Sequence, residues 1–401
     1  MTGSGFGPLD GVKVIELAHI MAGPVCGMML ADMGADVVKV EKPSGDDTRR
    51  MVPPTVNGES AAFMIMNRNK RGVCLNLKEE SGRGVLRHLL ASADVVIENY
   101  RKGTMEKLGL SYEGLKADNP GLIYVAISGF GQTGPYAGRG GFDLITQGMS
   151  GLMSITGERP GRPPVKVGPP VSDTTAGILA AMGVCAALQS RAKTGEGQIV
   201  DTSLYEAAIT HTYWQSAIAF ASGIDPEPMG SAHPLNAPYQ AFETADGWIT
   251  LGAANQANWE RLVDLIGAAH LKDDPRFVTN ADRMAHRSDL EVELTRIFIE
   301  RPSDDWLQLL NSGGFPAGPV SSITEMHEDP HTQARDMVVE TEHPVAGSTK
   351  AIGLPVKFSA TPGRIVRSAP QLGEHTREVL SDAGYSETEI AAFLEDGAVI
   401  G

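Results

Sequence analysis

The strongest constraint on the fold is an alternation of strands and helices that begins near the amino terminus. Apolar runs at residues 12–17 and 35–41 predict two buried strands, and the segment 24–33 between them has the length of a helix with a proline near its start. Three further strands with helical segments between them are predicted at 72–77, 93–98 and 122–128. Such an alternation favours a mostly parallel sheet with helices on its faces, so the predicted fold class is α/β.

The composition argues against several classes of partner. At 401 residues the chain is long enough for two domains. Its net charge of −15 argues against nucleic acid and against an anionic membrane surface as partners. The three cysteines are scattered, the start does not resemble a signal peptide, and no run is expected to reach the roughly 18 apolar residues of a membrane span. These features predict a cytoplasmic protein with reduced thiols.

A segment rich in proline and glycine divides the chain. Residues 223–238 contain the run GIDPEPMGSAHPLNAP, which predicts a linker. Two short strands around an Ala-Asp-Gly turn follow it, and then several helices, so 239–329 is predicted to form a smaller α+β domain. The chain leaves this domain near residue 330.

The segment 140–191 combines three different physical features. Its first part is rich in glycine and serine, which lets backbone approach a ligand closely. Residues 157–170 hold too many prolines and glycines for regular structure and predict a loop. Asp173 then stands directly before an apolar run of helical length, where a carboxylate is typical of a helix N-cap. An ionised carboxylate beside a glycine-lined cavity can also act as a nucleophile.

Basic residues are concentrated between positions 39 and 107. This range holds 13 of the 34 lysines and arginines against nine acidic residues. The cluster is consistent with an ordinary solvated surface or with a site for a ligand that carries phosphate groups.

Two sequence motifs do not meet the structural requirements of their functions. Residues 129–134 read GFGQTG, but no apolar helix follows that would bind a phosphate at its start. Residues 327–331 read HEDPH, and the proline inside the motif would break the helix that a zinc site of this type requires.

Several runs resemble the class III CoA-transferase (CaiB/BaiF) family, which includes formyl-CoA and L-carnitine CoA-transferases. They are GGFD, QGMSGLMSITG, GPPVSDTTAG and RAKTGEGQ, and the similarity extends over nearly the whole chain. The resemblance implies that Asp173 is the catalytic nucleophile, which forms an aspartyl anhydride and then an aspartyl-CoA thioester. It implies an acyl-CoA and a small carboxylic acid as substrates, with no metal and no tightly bound cofactor.

The resemblance also implies a set of CoA-binding residues and an assembly. The positions that match the family's CoA site are His19, Ile20, Met21, Ala22, Lys42, Leu75, Asn99, Tyr100 and Lys107. The family fold implies that 1–222 and 330–401 together form a large Rossmann-like domain that binds CoA. It further implies that two ring-shaped protomers interlock in a homodimer.

Two related functions remain as alternatives. One is an α-methylacyl-CoA racemase of the same fold, and the other is a non-catalytic binder of CoA or nucleotides. In the racemases a histidine precedes the aspartate that matches Asp143, whereas this chain has Phe142. Formyl-CoA transferase carries a glutamine where this chain has Met21, so a polar contact to its substrate is missing.

Overall fold

The computed structural model describes residues 5–401, and strands and helices alternate over its first half. The fourteen strands found in this range are β1 (Lys13–Glu16), β2 (Asp36–Glu41), β3 (Thr55–Val56), β4 (Glu59–Ser60), β5 (Lys70–Leu75), β6 (Val95–Glu98), β7 (Ile123–Ser128), β8 (Ile199–Ser203), β9 (Tyr239–Glu243), β10 (Trp248–Gly252), β11 (Ala317–Pro319), β12 (Val338–His343), β13 (Gly347–Ile352) and β14 (Val399–Ile400).

The seventeen α-helices of the same range vary from one turn to more than six. They are α1 (Ala22–Asp32), α2 (Ala61–Asn67), α3 (Glu80–Ala91), α4 (Thr104–Lys107), α5 (Tyr112–Asp118), α6 (Asp143–Met149), α7 (Val171–Thr194), α8 (Leu204–Thr210), α9 (Tyr213–Ser222), α10 (Gln256–Leu265), α11 (Asn280–Ala285), α12 (Arg287–Phe298), α13 (Ser303–Ser312), α14 (Ile323–Glu328), α15 (Pro330–Ala334), α16 (Thr376–Asp382) and α17 (Glu387–Glu395).

A seven-stranded sheet of order β14-β5-β2-β1-β6-β7-β8 lies at the centre of the larger unit. Its six strands from β5 to β8 are parallel, and only β14 runs antiparallel, beside β5. Counted along the chain, the parallel strands have the order 3-2-1-4-5-6 of a Rossmann fold. The predicted α/β class with a parallel sheet is therefore confirmed.

Helices cover both faces of this sheet because successive strand residues point to opposite sides. On β1, Ile15 joins one core, which includes α3, whereas Val14 joins the other. The second core is formed with α1 and α7, whose alanines and glycines permit close helix packing. In such sheets a crevice opens at the carboxyl ends of the strands, where the strand order reverses, and here that point lies between β1 and β6.

A second compact unit consists of Gly151–Lys166 and Thr212–Asp329. Strands β9, β10 and β11 form an antiparallel sheet in it. Helices α10, α12 and α13 supply much of its core, including Trp259 and Trp306. The larger unit comprises the described residues up to Ser150 together with Val167–His211 and Pro330–Gly401. This division differs from the predicted boundaries, which left 151–166 and 212–222 in the large domain and treated 223–238 as a separate linker.

Helix α7 corrects one expectation from the sequence. By length and composition alone it is long and apolar enough to cross a membrane, whereas the sequence was predicted to contain no such run. In the larger unit α7 packs against α1 and β8 and contributes five side chains to the second core: Ala176, Ala180, Ala181, Val184 and Ala187. One side of α7 is therefore part of the core of the larger unit.

Neither of the two excluded motifs, HEDPH and GFGQTG, lies within one continuous helix. The HEDPH motif spans the break between α14, which ends at Glu328, and α15, which begins at Pro330. Residues 129–134 lie between β7 and α6, and no helix starts in them. Among the residues from 5 to 401, no three His, Cys, Asp or Glu side chains are grouped closely enough to hold a metal ion.

Candidate active site

Asp173 lies in the first turn of α7 and does not cap it. The helix begins at Val171, directly after Pro169 and Pro170, and the N-cap position is Pro170. The predicted N-cap role is therefore wrong, because the helix starts three residues earlier than the apolar pattern suggested. Within the described part of the chain, no hydrogen bond to the Asp173 carboxylate is found.

The start of α7 is instead bound by Asp143, the first residue of α6. Asp143 Oδ1 accepts a hydrogen bond from the Ser172 backbone N–H at 2.9 Å. Asp143 Oδ2 accepts from Gln147 Nε2 at 2.8 Å, and Gln147 Oε1 accepts from the Val167 N–H at 2.9 Å. The buried Gln147 thus fixes Asp143, and Asp143 supplies the acceptor that Asp173 would have supplied as a cap.

Burial, and to a smaller extent the negative charge of Asp143, raise the pKa of Asp173 to about 6. At pH 7 the carboxylate is still mostly ionised. Its basicity is higher than that of an ordinary aspartate, and a more basic carboxylate is a stronger nucleophile.

Asp173 lines a cavity of about 520 Å³ at the carboxyl ends of the central strands. Six of the predicted CoA-binding residues line the same cavity: His19, Ile20, Met21, Ala22, Asn99 and Tyr100. They follow β1 and β6, so the cavity occupies the point where the strand order reverses.

The residues after β1 and β6 are joined by a pair of hydrogen bonds. The His19 backbone N–H donates to Asn99 Oδ1 at 3.0 Å, and Asn99 Nδ2 donates to the His19 carbonyl at 2.7 Å. Burial lowers the pKa of His19, so its imidazole is neutral at pH 7. Through its two hydrogen bonds, the side-chain amide of Asn99 joins the loop after β1 to the loop after β6.

Three predicted CoA-binding residues do not line this cavity. Leu75 is fully buried in the first core, at the end of β5. Lys42 Nζ forms an ion pair with Asp47 at 3.1 Å and is more than half exposed. Lys107 is exposed at the end of α4.

Most cations of the basic cluster between residues 39 and 107 are paired with acidic side chains of the protein itself. Nine of its thirteen cations form ion pairs with acidic side chains: Lys39, Lys42, Arg49, Arg50, Arg68, Lys70, Arg71, Arg83 and Arg87. The cluster as a whole is therefore not a uniformly solvated face, because the side chains of Lys39, Arg68 and Lys70 are buried in it.

Three cations that were not among the predicted CoA-binding residues line the cavity: Arg101, Lys102 and Arg139. The Arg139 guanidinium lies 4.5 Å from the centre of the Tyr136 ring, and Lys102 Nζ donates to the Gln132 carbonyl at 2.6 Å. A sequence signal existed for Arg101 and Lys102, which directly follow Asn99 and Tyr100. No comparable signal marks Arg139.

Close backbone contact forms one wall of the cavity. A Cβ atom on Gly129 would lie 2.7 Å from the backbone of Gly141, and a Cβ on Gly141 would lie equally close to Gly129. Both positions therefore require glycine, because the two backbone segments lie against each other.

Known proteins resemble this chain over nearly its full length. The model of a family described as CoA-transferase family III matches residues 9–376. A succinate–glutarate CoA-transferase of Agrobacterium fabrum is 42% identical over 94% of this chain and 95% of its own length. The human succinyl-CoA:glutarate CoA-transferase is 35% identical over 98% of this chain and 90% of its own. A crystal structure of a CaiB/BaiF family protein from Brucella suis has a TM-score of 0.85 at 40% identity, covering 94% of this chain and all of that one.

Proposed function

Because the chain belongs to CoA-transferase family III, we propose that it transfers coenzyme A between an acyl-CoA and a carboxylic acid through intermediates attached to Asp173. The observation that carries this proposal is the environment of Asp173. Its carboxylate lines the cavity, is more basic than usual because of burial, and is not used to cap its own helix. Such a group can attack a thioester carbonyl.

The proposed reaction needs no water, metal or redox step. The Asp173 carboxylate attacks the thioester carbonyl, the C–S bond breaks, and CoA leaves as a thiolate from a mixed anhydride. The thiolate then attacks the Asp173 carbonyl, which releases the first acid and leaves an aspartyl-CoA thioester. The acceptor carboxylate attacks this thioester, and the same steps run in reverse to form the new acyl-CoA. Excluding water from the cavity prevents hydrolysis of both intermediates.

We further propose succinyl-CoA as the donor and a dicarboxylic acid as the acceptor. The printed names of similar proteins include succinyl-CoA:glutarate, succinyl-CoA:D-citramalate and succinyl-CoA:mesaconate CoA-transferases. Arg101 and Arg139 line the same cavity as Asp173. A guanidinium group is well suited to bind a second carboxylate or the phosphates of CoA.

Racemisation has less support than transfer. A racemase must remove a proton from one face of the substrate and return one to the other face. Phe142 lines the cavity at the position where racemases carry a histidine, and its side chain has no titratable group. Asp173 alone would serve one face only.

The decisive variant is Asp173→Ala, which removes the nucleophile. We expect kcat for CoA transfer from succinyl-CoA to a panel of dicarboxylic acids to fall by at least about a thousandfold. With the wild-type protein and succinyl-CoA, hydroxylamine should convert Asp173, and no other acid, to a hydroxamate that mass spectrometry locates.

Asp94→Asn is a suitable control, because Asp94 is a partly buried carboxylate just before β6, at the end of the strand opposite the cavity. It should lose stability without losing the covalent intermediate. Transfer at the wild-type rate in Asp173→Ala would contradict the mechanism.

We also propose that the protein acts in the cytoplasm as a homodimer. Its scattered cysteines support the compartment, and exposed apolar side chains on α6 and α7 support the assembly.

A further inference from the structure

Four buried charged side chains lie beside the cavity and have no part in the chemistry described above. They are Glu16, Lys39, Asp46 and Lys70, here called the buried tetrad. The relative exposure of Asp46 is 4%, and that of the other three is 0%. We propose that the buried tetrad is a positioning device that holds the turn 19–22 in the shape that binds the acyl-CoA. The proposal rests on the function proposed above and extends it to residues that do not contact the substrate.

The tetrad is a continuous chain of alternating charges. Lys70 Nζ lies 2.8 Å from Glu16 Oε2, and Glu16 Oε1 lies 3.1 Å from Lys39 Nζ. Lys39 Nζ in turn lies 2.9 Å from Asp46 Oδ2. The two positive and two negative charges balance. Buried ion pairs are often no more stabilising than well-packed apolar side chains, because removing charges from water is costly. A gain in stability alone is therefore a weak explanation for four charges buried at this place.

The two lysines fix the chain on both sides of the turn. Lys39 Nζ donates a hydrogen bond to the Ala18 carbonyl at 3.0 Å. Lys70 Nζ donates to the Pro24 carbonyl at 2.9 Å. Because Ala18 follows β1 and Pro24 lies in the first turn of α1, the tetrad sets the distance between the strand and the helix.

Asp46 fixes the middle of the turn. Its Oδ1 atom accepts a hydrogen bond from the Ile20 backbone N–H at 3.3 Å. Ile20 has a φ of +67°, which is unfavourable for a β-branched residue. A residue in this conformation persists only when surrounding contacts determine it, and such residues concentrate at functional sites. Ile20 lines the cavity, so Asp46 supports a strained residue in the proposed binding site.

Asp46 is itself held in place by neighbours outside the turn. Its Oδ1 also accepts from the Thr48 N–H at 2.9 Å and from Thr48 Oγ1 at 2.8 Å. Its own backbone N–H donates to Glu41 Oε2 at 2.8 Å, and Arg49 binds both oxygens of Glu41 at 2.7 Å. Although burial alone would raise it, the charge of Lys39 and the bonds from Thr48 hold the pKa of the Asp46 carboxyl far below its usual range. Asp46 is therefore an ionised and rigid acceptor.

A positioning role makes a specific kinetic prediction. Asp46→Asn keeps the size of the side chain but removes the charge that pairs with Lys39. We expect the KM for succinyl-CoA and the Kd for free CoA to rise about tenfold, while kcat changes less than about threefold, since Asp173 is untouched. Hydrogen–deuterium exchange of peptides covering 17–24 should become faster.

Two further variants separate positioning from general loss of stability. Ile20→Gly relieves the strain, since glycine adopts positive φ freely. In that background Asp46→Asn should raise KM by less than about threefold, which is a coupling between the two positions. The matched control is Asp32→Asn, which breaks a buried ion pair with Arg68 at the opposite end of α1. It should lower the melting temperature without changing the KM for succinyl-CoA.

The outcomes distinguish this proposal from the proposed function. Unchanged KM and unchanged exchange at 17–24 in a folded Asp46→Asn variant would overturn the positioning role. An equal rise of KM in Asp32→Asn would also overturn it. A wild-type protein that transfers no CoA would refute the proposed function instead, and the exchange measurement would still report whether the tetrad holds the turn.

Discussion

At the residue scale, the raised pKa of Asp173 predicts how the rate depends on pH. The pKa is about 6 because of burial and then because of the Asp143 charge, and only the ionised carboxylate is a nucleophile. We therefore expect kcat/KM for succinyl-CoA to rise about tenfold per pH unit below pH 6 and to level off above pH 7. Asp143→Asn removes the repelling charge, so its inflection should lie at lower pH. Rates measured from pH 4.5 to 8 provide the check, and an inflection that stays at the same pH in a folded Asp143→Asn variant would contradict this account.

The sequence identified Asp173 only through resemblance to a family. Its local pattern suggested an N-cap, because an acidic residue stood before an apolar run. The residue that binds the helix start, Asp143, is distant in the sequence, and hydrogen bonds of that kind leave no local pattern. The same limit applies to Lys42 and Leu75, whose surroundings depend on Asp47 and on the core beneath β5.

At the element scale, the contact between α1 and α7 depends on Gly177, one turn after Asp173. A Cβ atom there would lie 2.6 Å from the Ala22 carbonyl oxygen and 2.8 Å from Val25 Cβ. Gly177→Ala should therefore destabilise the protein by about 1–3 kcal/mol. Because the clash displaces the start of α7, CoA transfer should also slow.

Gly84→Ala is the matched control, because Gly84 lies inside α3 and a Cβ there meets no atom within 4 Å. It should stabilise the protein by about 0.5–1 kcal/mol, as alanine favours helices over glycine. Denaturant unfolding measures both changes. Equal stability of the two variants would argue against a tight contact at Gly177.

Element boundaries were predictable where the apolar pattern was unambiguous. The predicted strands at 12–17, 35–41 and 122–128 correspond to β1, β2 and β7 within one residue at each end. The start of α7 was misplaced because Val171, Ser172 and Asp173 form its first turn, although they precede the continuous apolar run. The apolar pattern alone does not show that these three residues are already helical.

At the scale of the whole molecule, the alternation of strands and helices predicted a parallel sheet but not its strand order. The order follows from crossovers whose handedness and position depend on packing. Likewise, the membership of 151–166 and 212–222 in the second unit comes from contacts between segments far apart in the chain. The composition of the segment 223–238 alone could not predict which unit these two segments join.

The proposed homodimer makes a prediction about exposed apolar side chains. Ile178 and Met182 are 43% and 62% exposed and lie one turn apart on α7, and Phe142 before α6 is 73% exposed. We expect sedimentation to show a dimer at nanomolar concentration, with the dimer and the secondary structure lost together on denaturation. Met182→Lys should weaken the dimer, because the lysine charge would be buried at the contact.

The control for this experiment is Val292→Lys. Val292 is 50% exposed on α12, in the second unit, and its replacement should leave the dimer intact. A folded wild-type monomer at nanomolar concentration would contradict the assembly.

Strand β14 has a consequence for how the protein is made. It covers the outer edge of β5 by pairing Val399 with Leu75 and Ile400 with Cys74. On a ribosome, the strands β1, β2 and β5 emerge well before β14, the strand that closes their sheet. Until β14 emerges, the edge of β5 presents unpaired backbone groups, which is the kind of edge that other chains can join. The edge of β5 therefore stays open while the chain between β5 and β14 is made, and during that time it is a site at which chaperone binding would prevent aggregation.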